Sequence, residues 1–89
     1  MQTIRLIVKG KVQGVYYRAF IKEMADQLSV SGWIKNLPDK NVEIKATATE
    51  EQLQQFINWC KQGSARAIVN EVMIEELSIE AFNGFRIIR

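Results

Sequence analysis

The sequence predicts an α+β sandwich in which two helices cover one face of a mainly antiparallel sheet. Five segments have the residue pattern of strands, and two longer segments have the three- and four-residue spacing of helices. Their order is β-α-β-β-α-β plus a short C-terminal strand, the split βαβ arrangement called ferredoxin-like. With 89 residues the chain has room for one small domain with one core, and we assign residues 1–89 to it.

A strand followed by a helix is predicted in the first third of the chain. Ile4, Leu6 and Val8 recur at every second position, so a first strand runs toward Val12. Helical spacing then predicts a helix over about residues 16–28, with an apolar stripe formed by Tyr17, Phe20, Ile21, Met24 and Leu28. Gly32 is expected to form the turn into the next strand.

Two strands joined by a tight turn are predicted next. Residues 33–37 form a short strand that ends before Pro38, and alternation over residues 42–48 predicts another strand. The connection between them has the length of a hairpin turn, so the two strands should be antiparallel neighbours.

A second helix and two further strands complete the order. Thr49 followed by Gln52 indicates a capping box at the start of this helix. The β-branched run over residues 67–77 predicts a long fourth strand, whose alternation slips near Asn70 and indicates a bulge. The tail, residues 82–89, predicts the fifth strand.

Composition excludes several classes of function. The net charge is +2, with 12 basic and 10 acidic residues and no run of five like charges, so no polyanion-binding tail is expected. The predicted strands lack the exposed aromatic motif by which such sheets bind RNA, and we predict no nucleic-acid partner. No apolar run approaches the ~18 residues of a membrane span, so no membrane partner is expected.

The histidine and cysteine counts limit the chemistry further. The chain has no histidine, which excludes Ser-His-Asp and Cys-His catalysis, an imidazole base and most zinc and iron sites. We therefore predict no metal site. Its one cysteine, Cys60, cannot form an internal disulfide, and a reducing, cytoplasmic setting is expected.

The segment from Gly10 to Arg18 is the first candidate for a binding site. It lies between a strand and a helix, so unpaired N–H groups and the positive end of the helix dipole face the same space. Arg18 adds a guanidinium that can bind two phosphate oxygens at once. Two interpretations stay open here: an anion cradle, or a glycine turn that only shapes the chain while Arg18 is solvated.

Asn36 is the second candidate, near the end of the strand that precedes the hairpin turn. Asparagine is depleted in strands, and its amide can both donate and accept hydrogen bonds. It could therefore hold a water in line with a phosphorus atom. A simple role at the entry to the turn is the alternative.

Both candidates lie in segments that resemble the signatures of the acylphosphatase family. Val8–Arg18 resembles the first signature, and Gly32–Asn36 followed by Val42-Glu43 resembles the second; the likeness spans nearly the whole chain. It implies that Arg18 and Asn36 are the catalytic residues, with Asn36 orienting the attacking water. It also implies a phosphate-binding loop made of Gln13, Gly14, Val15, Tyr16, Tyr17 and Arg18.

The resemblance also implies the reaction. Acylphosphatases hydrolyse the mixed anhydride of a carboxylic acid and phosphate to carboxylate and inorganic phosphate, without a metal or an organic cofactor. The expected partner is thus a small-molecule acyl phosphate, and we expect a monomer. Because arginine stays protonated and asparagine does not titrate, the proton of the water should pass to a phosphate oxygen of the substrate.

Two departures from the family pattern create expectations about the structure. Tyr17 stands where the family usually has phenylalanine, so its hydroxyl needs water or a partner. Lys40 stands at a hairpin position where glycine is typical, so either the turn differs or Asn41 adopts the positive φ. The alternative function that remains is a non-catalytic ferredoxin-like module that binds phosphate or carbamoyl phosphate.

Overall fold

A five-stranded sheet and two helices make up the computed structural model, which describes all residues from Met1 to Arg89. The elements in chain order are β1 (Gln2–Lys11), α1 (Tyr17–Leu28), β2 (Ser31–Asn36), β3 (Val42–Ala48), α2 (Glu50–Gln62), β4 (Ile68–Leu77) and β5 (Phe85–Ile88). This is the predicted α+β order, and the ferredoxin-like prediction is confirmed. Neither helix has the length and apolar character needed to cross a membrane.

The sheet order is β4-β1-β3-β2-β5, with every pairing antiparallel except that of β2 with β5. Since β1 and β2 flank β3 and are both antiparallel to it, they run in the same direction. Val42 of β3 lies opposite Val8 of β1 and also opposite Asn36 of β2. The loop after β1 and the end of β2 therefore meet at one end of the sheet.

The core lies between the sheet and the two helices. Alternate strand residues such as Leu6, Ile34 and Ile44 are fully buried, and Ile21 of α1 and Phe56 of α2 pack onto them. Burying each such side chain stabilises the fold by ~1.5–3 kcal/mol relative to leaving it exposed. The apolar alternation of the sequence is thus the pattern that holds the two layers together.

The turn after α1 differs from the prediction. Ser29, with φ 57°, ends α1 in the left-handed conformation, and the N–H of Val30 donates to the carbonyl of Ala25 at 2.9 Å. Gly32 instead lies inside β2, because a side chain there would collide with the carbonyl of Lys45 on β3. The prediction that Gly32 forms the turn was wrong: the glycine is needed for a close approach between strands.

The bulge predicted in the fourth strand is confirmed. Lys9 of β1 pairs with Glu71, but the next residue, Gly10, pairs with Val69, so Asn70 is the extra residue of β4. The fifth strand is shorter than predicted and runs parallel to β2.

Candidate active site

The loop between β1 and α1 presents its backbone N–H groups away from the protein. Gly14 has φ 73° and Tyr16 has φ 66°, so the chain turns twice through the left-handed region. None of the N–H groups from Gln13 to Tyr16 donates to a protein acceptor. A buried hydrogen bond holds the loop in place: the Ser64 hydroxyl donates to the carbonyl of Val15 at 2.8 Å. Such a row of fixed, free donors can bind an anion.

The start of α1 adds positive charge to the same space. Tyr16 precedes the helix without a side-chain cap, and the first turn contains no acidic residue. Arg18, the second residue of the helix, is half-buried and forms no ion pair. The N-terminal end of a helix carries partial positive charge, so an arginine here is unfavourable for the helix and favourable for a bound anion.

Tyr17 borders a cavity beside the loop, but its hydroxyl points into the core. Its side chain is only 1% exposed, and its hydroxyl donates to the carbonyl of Cys60 on α2 at 2.8 Å. Burial raises the pKa of this hydroxyl well above its usual range, and burial does the same to the pKa of the Cys60 thiol. The hydroxyl therefore has the partner that the sequence requires, and neither group is available as a base near neutral pH.

Asn36 ends β2 with an unpaired amide oxygen. Its Oδ1 atom is buried and has no hydrogen-bond partner in the protein. An unsatisfied buried acceptor costs about 1–3 kcal/mol. No donor of the protein offsets this cost, so the Asn36 amide is held without a hydrogen bond to its oxygen.

Two adjoining cavities connect the loop to Asn36. The first, of about 190 Å³, is lined by eight residues: Val12, Gly14, Tyr16, Tyr17, Arg18, Ala19, Ile87 and Arg89. The second, of about 540 Å³, is lined by Arg18, Lys35, Asn36, Ile88 and Arg89. Arg18 borders both cavities, and no acidic side chain lines either. The structure thus brings together the two candidates that lie far apart in the sequence.

The hairpin turn corrects the expectation about Lys40. Lys40 itself has φ 74°, and its N–H donates to the carbonyl of Leu37 at 3.1 Å. The turn keeps the positive-φ geometry that glycine would adopt, and the proposal that the turn differs or that Asn41 takes this role was wrong. Holding a lysine in this region costs roughly 1–2 kcal/mol. The cost falls on the turn and does not displace Asn36 from β2.

The roles of four side chains at the site were not identified from the sequence, although Gln13 was included in the loop. Ser64 fixes the loop, Lys35 and Arg89 line the cavities, and the Gln13 amide reaches the hairpin. The contacts of Ser64 and Gln13 span 49 and 24–28 residues, so no local pattern contains them. Lys35 directly precedes Asn36 in the sequence, and this position was the available signal for its place in the site.

Comparison with known proteins assigns the chain to one family. A family model described as Acylphosphatase matches residues 4–87. An acylphosphatase of Marinobacter nauticus is 48% identical over 82 residues, which is 91% of this chain and 89% of that protein. The crystal structure of acylphosphatase from Bacillus subtilis matches with a TM-score of 0.97 at 39% identity, over 100% of both chains. A crystal structure of T. kodakarensis HypF matches with a TM-score of 0.81 at 29% identity, over 98% of this chain and 12% of that one. This chain therefore belongs to the acylphosphatase family.

Proposed function

We propose that this chain is an acylphosphatase that hydrolyses the carboxyl–phosphate bond of small-molecule acyl phosphates. The single observation that carries this proposal is that Arg18 borders both the loop cavity and the cleft that contains Asn36. A phosphate group bound by the loop and Arg18 would thus lie beside the one unpaired amide of the site. The family and its curated relatives support the same reaction.

The loop would bind the phosphoryl group through backbone donors and charge. The free N–H groups of residues 13–16 and the uncapped first turn of α1 would donate to the phosphate oxygens, and Arg18 would add a bidentate contact. These donors are held in place before the substrate arrives, because Ser64 fixes the loop and Tyr17 anchors the helix. Such fixed donors stabilise the charge that spreads over the oxygens during transfer.

Asn36 would orient the attacking water. Its side chain lines the second cavity and has no hydrogen-bond partner in the protein at Oδ1, so a small rotation of the amide would present that oxygen to a water in the cavity. The water oxygen forms the new bond to phosphorus, while the bond from phosphorus to the acyl oxygen breaks and its electron pair leaves with the carboxylate. The products are a carboxylate and inorganic phosphate.

No side chain of the cavities is suited to remove the proton of the water. Their ionisable groups are arginines, a lysine and tyrosines, and the one buried tyrosine has a raised pKa. We therefore assign the proton to a phosphate oxygen of the substrate. A carboxylate is a weakly basic leaving group, so positioning and charge stabilisation carry most of the catalysis.

The test is phosphate release from acetyl phosphate and benzoyl phosphate by the native chain and two variants. Arg18→Gln should lose both affinity for inorganic phosphate and turnover, whereas Asn36→Ala should lose turnover and keep phosphate affinity. Removing one such positioned contact lowers kcat by about 10²–10³-fold.

Matched controls for these variants lie outside the two cavities. Arg66→Gln and Asn58→Ala change exposed residues of the same types and should leave kcat unchanged. Equal hydrolysis by the native chain and both site variants would exclude the proposed site.

A second candidate is a phosphate- or carbamoyl-phosphate-binding module without catalysis. The match to 12% of a much larger chain shows that this fold also occurs as one part of a longer protein. A native chain that releases no phosphate, but whose Tm rises with inorganic phosphate, would favour this module over the enzyme. We retain a monomer acting in the cytoplasm as a prediction, with sedimentation and cell fractionation as its tests.

A further inference from the structure

We propose that Gln13 is a positioning residue that sets the distance between the phosphate-binding loop and Asn36. The inference rests on the proposed function and adds a role for a side chain that touches neither phosphate nor water. Gln13 belongs to the loop by its backbone, but its side chain turns away from the loop cavity and binds the β2–β3 hairpin.

The Gln13 amide holds both ends of the hairpin turn. Its Nε2 atom donates to the carbonyl of Leu37 at 3.0 Å and to the carbonyl of Asn41 at 2.8 Å. Carbonyls only accept, so the NH₂ end of the amide must face them, and each of its two hydrogens has an acceptor. The amide therefore has one orientation with two bonds, and the loop is tied to two points of the turn.

The turn needs an external support of this kind. Within the turn, the N–H of Leu37 donates to the carbonyl of Asn41 at 2.8 Å and the N–H of Lys40 donates to that of Leu37 at 3.1 Å. Residues 38–40 are exposed, and Lys40 occupies the unfavourable positive-φ region. No other side chain of the loop forms a hydrogen bond with the turn. Gln13 is thus the direct polar link between them.

Asn36 has no side-chain bond that would fix it independently. Its Oδ1 is unpartnered, so the amide takes its place from the backbone at the end of β2. Leu37, whose carbonyl Gln13 binds, is the next residue. A shift of the turn would therefore change the orientation of the Asn36 side chain relative to the loop, even while Asn36 stays paired with Val42 of β3. A misplacement of about 1 Å in such a pair can lower turnover by as much as ~10²-fold.

The experiment measures the effect of Gln13→Met in two backgrounds, the native chain and the Asn36→Ala variant. Methionine keeps the length of the side chain and removes the donor. The single variant should lower kcat for acetyl phosphate by about 10- to 100-fold and leave the Kd for inorganic phosphate unchanged. In the Asn36→Ala background the same change should alter kcat by less than about twofold, because no positioned amide remains to misplace.

Gln55→Met is the matched control, since Gln55 is an exposed residue of α2. It should leave kcat unchanged in both backgrounds. Hydrogen exchange supplies a readout that does not depend on turnover: the Leu37 and Lys40 amides should exchange faster in Gln13→Met and not in Gln55→Met.

Three results would overturn the inference while leaving the proposed function intact. They are a kcat for Gln13→Met close to the native value, a loss of phosphate affinity that parallels the loss of kcat, or a full additional loss of kcat in the Asn36→Ala background. A native chain that releases no phosphate would instead remove the proposed function, and this inference with it.

Discussion

The two helices begin in opposite ways. α2 begins with a complete capping box: the Gln52 N–H donates to the Thr49 hydroxyl at 3.2 Å, and the Thr49 N–H donates to Gln52 Oε1 at 2.8 Å. Glu50 and Glu51 in its first turn complement the helix dipole. α1 begins with an uncapped Tyr16, no acidic residue and an arginine in its first turn.

The start of α2 is built for helix stability, whereas the start of α1 leaves groups available for a ligand. At α2 side chains accept from the N–H groups of Thr49 and Gln52, and two glutamates offset the positive end of the dipole. At α1 the same groups remain free, and the neighbouring loop adds more donors of the same kind. This helix start breaks the capping preferences within an otherwise consistent fold, and we therefore propose it as the site for an anionic ligand.

The largest effect is expected when α1 is made to resemble α2. Ala19 is the third residue of α1 and lines the loop cavity. Ala19→Glu would place a carboxylate among the free donors, which suits the helix and repels phosphate. We expect the Kd for inorganic phosphate to rise by at least about tenfold, or ~1.4 kcal/mol, while the Tm stays equal or rises. Phosphate titration and thermal melting measure the two effects.

Ala19→Gln is the matched control for size without charge. It should weaken phosphate binding much less than Ala19→Glu. If both variants weaken binding equally, crowding of the cavity and not charge explains the loss, and the electrostatic contrast between the two helix starts fails.

A smaller effect is expected when the cap of α2 is removed. Thr49→Ala deletes the acceptor for the Gln52 N–H and should lower the free energy of unfolding by ~1 kcal/mol. For a chain of this size the Tm should fall by roughly 4–8 °C. Thr49→Ser keeps the hydroxyl and should retain most of the stability. Both variants should keep native kcat at a temperature where they are folded; a selective loss of kcat would show that α2 also serves the site.

Local patterns predicted the elements because each depends on neighbouring residues. The alternation of apolar and polar residues predicted the strands, and the Thr49–Gln52 pair predicted the start of α2. The interruption of that alternation near Asn70 predicted the bulge. Arg18 and Asn36 were identified separately as candidates and were joined only by a family resemblance. The structure supplies the physical reason for their pairing, because β1 and β2 flank β3 and their C-terminal ends lie at the same end of the sheet.

What the sequence could not predict depends on contacts between distant residues. Gly32 was predicted to form a turn because it follows a helix. The actual reason for the glycine is its close contact with Lys45 on the neighbouring strand, which the local sequence does not show. Lys40 looked incompatible with its turn, but two turn hydrogen bonds and the Gln13 amide hold the hairpin together. No periodic pattern in the sequence indicates the hydrogen bonds of Gln13 and Ser64, because each joins residues at least 24 positions apart.

The central claim is that the start of α1 and its loop bind phosphate, whereas the start of α2 does not. The direct measurement is an amide NMR titration of the native chain with inorganic phosphate. We expect the largest chemical-shift changes at the backbone amides of residues 13–19 and none at those of residues 50–53. Arg18→Gln should raise the Kd obtained from this titration. Saturable shifts centred on residues 50–53, or none at residues 13–19 in a chain that releases phosphate from acetyl phosphate, would contradict the claim.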